Sequence, residues 1–221
     1  MGVNLSDLVE GARLATVHHL DTALEIASSQ FALLEQGLPL AVLMPYSSQL
    51  NELARWYRQL WAESLGKEGK GILPIQAYGP ADQHSQLQFY AQGKLLSSVW
   101  FMKINQAMVD LALPNTDIAA AKYLSGTNLQ DILKAEQEST ALALTEIGRP
   151  NATITIEKIT PQASGELFMI FELAVVYLAT MLGVNAFDQP GVEQSKQMMY
   201  ALLGHPDYAE MRAKIQQIKR I

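Results

Sequence analysis

The sequence predicts an α/β fold: a three-layer α/β/α sandwich on a mainly parallel sheet of roughly five strands. Three observations predict it. Short apolar runs recur between helical segments, and a run buried on both faces suits an inner parallel strand. One later run, Ala152 to Lys158, alternates Thr and Ile like a half-buried edge strand. Leu167 to Leu182 is apolar all round, which in a globular domain marks a central helix.

The elements follow in order. Residues 1–37 form an N-terminal helical segment, read as one long helix from Leu5 to Gly37. Leu24, Ala27, Phe31 and Leu34 recur in it at helical spacing. Leu38 to Met44 is the first strand, and Pro45-Tyr46-Ser47-Ser48 is turn and N-cap material. Leu50, Leu53, Ala54, Tyr57, Leu60 and Trp61 mark the buried stripe of a helix running to about Ser64. Gly66 to Gly71 is a loop, and Ile72 to Tyr78 is the second strand. A helix over His84 to Ala91 leads to the third strand, Ser97 to Ile104. Thr127 and Gln130 form a capping box for a helix that Gly148-Arg149-Pro150 stops. After the central helix a polar loop leads to a C-terminal helical segment, 190–221. No repeat or linker divides residues 1–221, which read as a single domain.

Composition narrows the function. The 221 residues are 49% hydrophobic and only 17% charged, against about 25% usually. That shortfall suggests surface covered by a partner subunit or a missing domain. A net charge of −6 makes nucleic acid a poor partner, since phosphate neutralisation supplies most non-specific affinity. With no cysteine there is no disulfide scaffold, thiolate zinc site or Cys nucleophile, and a cytoplasmic location fits. Met1 to Asp7 shows no targeting signal. The apolar run 167–182 falls short of the ~20 residues a membrane span needs, and Glu172 sits near its middle. No membrane partner is expected.

The familiar phosphate loops are absent. Gly66-Lys67-Glu68-Gly69-Lys70-Gly71 lacks the P-loop order and follows a helix. His18 and His19 point about 100° apart on a helix, which suits solvated or capping roles better than a metal pair. Three stretches stand out. Gln59 and Glu63 lie one helical turn apart, and Glu63 ends its helix where the dipole disfavours an anion, a setting for a proton-transfer base. Periodicity alone favours a solvated last-turn glutamate. Gln83-His84 follows a strand end, where α/β folds place their sites, though a histidine near a helix N-cap at Asp82 reads equally well. Asn185 to Lys196 is a polar loop entering a helix, with Lys196 in its first turns, or a plainly exposed lysine.

In this order and spacing, the three stretches resemble the carboxy-terminal half of the glucose-6-phosphate isomerase family. Glu63-Ser64-Leu65-Gly66-Lys67 is similar to its first signature and Gln83-His84 to its second landmark. Phe187-Asp188-Gln189-Pro190-Gly191-Val192-Glu193, followed by Lys196, resembles its last signature. Gly148-Arg149-Pro150-Asn151 also suits the family, and the resemblance runs from about Leu38 to Leu203.

The resemblance implies a sugar-isomerase-type domain that interconverts glucose 6-phosphate and fructose 6-phosphate through an enediolate. Glu63 would be the base moving a proton between C1 and C2 of the open-chain sugar. His84 would move a proton at the ring oxygen, and Lys196 would assist ring opening and hold hydroxyls. Gln59 and Gln189 would contact the sugar phosphate. No metal or organic cofactor is implied. The family's site is shared across a two-fold dimer, with the histidine from the neighbouring subunit, so a homodimer with His84 near its interface is expected. Family members are much longer. Their amino-terminal half carries a Ser/Thr-rich phosphate loop and an enediolate-stabilising Arg, neither of which occurs here, and Arg55 and Arg149 stand in the wrong context to replace that Arg. That missing half is therefore an expected partner. The rival readings are a non-catalytic sugar-phosphate-binding regulatory or assembly module, and a pure dimerisation domain.

Overall fold

The computed structural model describes residues 2–219. They form two compact units, one ending at Ala186 and the other starting at Phe187.

In the first unit, α1 (Leu5–His18) and α2 (Leu20–Glu35) precede β1 (Leu40–Pro45), α3 (Asn51–Leu65) and β2 (Leu73–Gln76). Then come α4 (Gly79–Ser85), α5 (Leu87–Gln92), β3 (Ser97–Gln106), α6 (Leu129–Glu146), β4 (Asn151–Lys158) and α7 (Pro161–Leu182). The described residues hold a four-stranded sheet of order β2-β1-β3-β4 with every pairing parallel. The three-layer α/β sandwich holds, but with four strands instead of five. The sequence offers four strand-like runs, and among the described residues no further run joins the sheet.

Strand alternation explains the layers, because successive side chains take opposite faces. Ala41 and Leu43 of β1, with Trp100, Met102 and Ile104 of β3, pack with residues of α2, α3 and α7. Val42 and Met44, with Val99 and Phe101, pack with Tyr90 of α5 and Leu144 of α6. Both faces are covered, so β1 is apolar throughout and β3 is apolar over Val99 to Met102. β4 pairs on one side only and is an edge, as its Thr/Ile alternation predicts.

Several boundaries differ from the sequence expectation. The helix over residues 5–37 is two helices, broken at His19, whose backbone (φ −122°, ψ 18°) leaves the helical region. No Gly or Pro marks that break. The stretch 79–92 is likewise two helices, and Gly79-Pro80 opens α4 instead of closing the strand, since proline suits the first helical turn. Thr127 does not cap α6. Asn128 takes the N-cap position, the Asp110 carboxylate accepts from the Gln130 backbone N–H at 3.1 Å, and the Gln130 side chain donates to the Ile104 carbonyl at 2.6 Å. The loop after β3 folds back through an Ala112–Asn128 bridge, so a remote acid performs the cap.

α7 is 22 residues long, so the length argument against a membrane span fails. Its apolar faces meet other helices instead. Phe171 packs on Tyr57 and Trp61 of α3 with ring centroids 5.3 and 5.8 Å away, and α1 crosses α7 at backbone contact distance.

In the second unit α8 (Pro190–Leu202) and α9 (Ala209–Ile218) bury Ala201 and Ile215. Arg212 donates from Nε to the Ala201 carbonyl at 2.9 Å, holding α9 to the end of α8.

Candidate active site

α3 carries the first two candidates. Its buried face holds Tyr57 and Trp61, which share one core amide. Trp61 Nε1 donates to Gln30 Oε1 at 2.8 Å, and Gln30 Nε2 donates to the Tyr57 hydroxyl at 3.1 Å. Gln30 is only 2% exposed. These bonds lock the rotation of α3. Gln59 and Glu63 each stand two residues beyond a locked aromatic, about 200° around the helix, so they emerge on the outer face. Gln59 Nε2 donates to Glu63 Oε1 at 3.3 Å. Gln59 is exposed and Glu63 half-buried.

The loop after Glu63 is tied down on the same side. Lys67 Nζ donates to the Asn185 carbonyl, and Lys70 Nζ donates to the Leu182 carbonyl at 3.0 Å. Two ammonium groups thus meet carbonyls at and just after the C-terminus of α7, where the helix dipole favours cations. Gly71 (φ 108°) closes the loop so tightly that a Cβ there would lie 2.5 Å from the Leu65 carbonyl oxygen.

His84 lies elsewhere. α4 begins three residues after β2 ends, at the carboxyl ends of the strands, and Gly79 sits against the Tyr46 ring at the end of β1. Glu63 closes α3, which starts at those same carboxyl ends. Gln76 of β2 donates to Asn51 Oδ1 there at 2.9 Å. The fifteen residues of α3 then run back to the amino ends, a distance of about 22 Å. One chain therefore brings Gln59 and Glu63 together and places Glu63 and His84 at opposite ends of the sheet. The Asp82 N-cap expected beside His84 is also revised. α4 starts at Gly79, and the Asp82 carboxylate accepts from the Tyr78 N–H at 2.6 Å and the Ser85 hydroxyl at 2.9 Å.

Lys196 and Gln189 belong to the second unit. Gln189 occupies the N-cap position of α8, and Lys196 Nζ pairs with Glu193 Oε1 at 2.7 Å one turn back. Arg149 is engaged with α5. Its guanidinium donates to the Ala91 and Gly93 carbonyls at 2.8 and 2.7 Å, capping that helix. His18 is on the surface, and His19 marks the α1–α2 break.

Neither Glu63 nor His84 lines either of two depressions of about 500 Å³ among the described residues. A crevice of about 530 Å³ opens where the strand order reverses between β1 and β3, lined by Tyr46, Ser47, Tyr78, Met108, Leu111 and Gln130. Such switch points commonly bind ligands. This lining contains Asp110 but no Lys, Arg or His among the described residues, which suits a phosphate badly. An apolar groove of about 500 Å³ runs between α3 and α7 over Trp56, Ile156 and Phe168, and burial there raises the Glu172 carboxyl above its ordinary range. Among the described residues no three His, Asp or Glu side chains converge as a metal site.

Sequence reasoning missed Gln30, although Ala23, Ile26, Ala27 and Gln30 share one face of α2. It also missed Tyr46, which the crevice and Gln83 both engage.

A family model described as phosphoglucose isomerase matches residues 3–217. The chain is 38% identical over 196 residues to a glucose-6-phosphate isomerase of Rubrobacter xylanophilus, covering 88% of this chain and 43% of that protein. It is 34% identical over 235 residues to one from Carboxydothermus hydrogenoformans, covering 99% and 51%. A crystal structure of a hypothetical protein from Thermus thermophilus superposes with a TM-score of 0.81 at 33% identity, over 92% of this chain and 51% of that one. A glucose-6-phosphate isomerase from Chlamydia trachomatis shares the fold, with a TM-score of 0.73 at 20% identity over 96% of this chain and 46% of that one. The chain spans about half the length of the curated relatives it matches. With nearly every residue inside the matched region, the chain belongs to the phosphoglucose isomerase family.

Proposed function

We propose that this chain supplies the proton-transfer residues of a glucose-6-phosphate isomerase and works as one part of a larger or two-part enzyme. Glu63 takes the proton from C2 of the open-chain aldose. The electron pair moves toward the carbonyl, giving an enediolate with its charge on O1; the same carboxyl returns the proton at C1 while the O2 hydroxyl proton passes to O1, leaving the ketose. Gln59 orients one oxygen of that carboxylate and contacts the sugar phosphate. His84 opens the pyranose ring, Lys196 assists and holds hydroxyls, and Gln189 contacts the phosphate. The amino-terminal half contributes the phosphate loop and the enediolate-stabilising Arg. A chain free of cysteine suits a cytoplasmic enzyme.

The observation that carries this reading is the separation of Glu63 from His84. No single copy unites them, because α3 spans the sheet between them. A two-fold dimer does, if His84 enters the partner's site beside Glu63.

Complementation tests it directly. Subunits carrying Glu63→Gln and subunits carrying His84→Gln, each assembled with the amino-terminal half, are inactive alone. Mixed and re-associated, they form hybrid dimers in which one of two sites keeps both residues, so about a quarter of wild-type activity returns. Mixtures that stay inactive although hybrid dimers form would refute the shared site. Sugar-phosphate binding with no isotope exchange from C2 in the wild-type assembly would favour the non-catalytic module.

A further inference from the structure

Hydrogen bonds run from the core to His84. Tyr46, buried after the end of β1, donates its hydroxyl to Gln83 Oε1 at 2.9 Å, and its contact with Thr140 Oγ1 is longer at 3.2 Å. Thr140, buried on α6, gives its own proton to the Glu136 carbonyl at 2.8 Å and lies 3.3 Å from the same Gln83 oxygen. Burial raises the Tyr46 phenol above its ordinary value, which keeps it a neutral donor near neutral pH. Gln83 Oε1 is therefore the acceptor that faces the hydroxyls, and Gln83 Nε2 is turned toward His84 Nε2, 3.3 Å away.

An amide nitrogen has only protons to offer, so His84 Nε2 accepts and the proton of the neutral ring sits on Nδ1. We propose that Gln83, anchored by Tyr46 and Thr140, is a positioning residue that holds Nε2 of His84 and leaves Nδ1–H as the nitrogen that exchanges a proton with the sugar. This deepens, and rests on, the reading of His84 as the ring-opening residue. The proton that Nδ1 gives to the ring oxygen as the C1–O bond breaks is replaced by the one leaving the anomeric hydroxyl, so the imidazole ends as it began. A histidine free to choose its tautomer would present the correct nitrogen only part of the time.

The test reads the tautomer itself. Long-range proton–nitrogen correlation spectra of the nitrogen-15-labelled chain, with His84 identified by its loss in His84→Gln, report which ring nitrogen carries the proton. His18, His19 and His205 serve as internal references for an intact fold. At a pH where the ring is neutral, wild type shows mainly Nδ1–H. Gln83→Leu removes that preference. Gln83→Glu, whose carboxylate only accepts, reverses it to Nε2–H. A wild-type ring in the Nε2–H form, or one unmoved by Gln83→Leu while the other three histidines keep their signals, overturns the proposal. In the assembled enzyme, Gln83→Leu lowers kcat at least about tenfold with KM near its wild-type value, a loss within the range of general acid–base catalysis. If His84→Gln leaves turnover intact while the tautomer pattern holds, the functional reading of His84 falls and the structural role of Gln83 stands.

Discussion

Gly11 and Gly165 are reciprocal partners across the α1–α7 crossing. A Cβ on Gly11 would lie 1.9 Å from the Gln162 carbonyl oxygen, and a Cβ on Gly165 would lie 1.9 Å from the Leu8 carbonyl oxygen. Each glycine accepts the other helix's backbone three residues before its partner. Nothing flexible intervenes, so an added methyl group displaces the helices themselves. Gly165→Ala should therefore destabilise the protein by about 1–3 kcal/mol, the usual cost of overpacking, or more. A urea midpoint equal to wild type would show that the crossing yields without cost.

Three buried phenols set an alkaline limit. Burial raises Tyr57 and Tyr46, and lifts Tyr90 to about 12. In the unfolded chain these groups lose their protons near pH 10. A folded value above the unfolded one means that their stabilising contribution is complete below about pH 10 and is lost as pH rises toward and beyond 12. Ultraviolet difference absorbance against pH should show a late, cooperative phase coinciding with unfolding by circular dichroism. Three phenols titrating near 10 in a folded chain would contradict this.

Glu63→Gln should leave folding unchanged, because the side chain is half-buried and outside the Tyr57–Trp61–Gln30 lock. In the assembled enzyme it should lower kcat by about 10²–10⁴, the usual range for a positioned proton-transfer group. Isotope exchange between C2 of the sugar and water is the direct readout. Exchange at the wild-type rate would remove Glu63 from the mechanism.

Without its amino-terminal half, the chain should isomerise glucose 6-phosphate at least about 10³-fold more slowly than the assembly. Losing one preorganised donor at a developing charge costs about 10²–10³ in rate, and lost phosphate anchoring adds to it. Titrating the purified half into the chain in a coupled assay should restore activity saturably. Full turnover by the chain alone would show that its own side chains replace the absent groups.

The fold was legible where side-chain period and strand face agree. β1, and β3 over Val99 to Met102, are apolar because both of their faces are covered, and β4 alternates because it is an edge. The breaks at His19 and Gln86 were not legible, since neither carries a Gly or Pro and both depend on what the flanking helices pack against. The cap of α6 comes from Asp110 across a loop, which local spacing cannot show. The pairing of Gln59 with Glu63 follows from helical period. The distance between Glu63 and His84 does not, because it depends on the direction in which α3 runs along the sheet.

That direction makes α3 a ruler. Its aromatic face is fixed to the core at Tyr57 and Trp61, so the count of residues beyond Trp61 sets both the bearing and the height at which the carboxylate is presented. One residue inserted there would turn Glu63 by about 100° and carry it about 1.5 Å further along the axis. Two full turns, seven residues, would nearly restore the bearing but overshoot by about 10 Å. Length variation among relatives of this chain should therefore collect in loops such as 107–128, while the interval from Tyr57 to Glu63 stays at a single value.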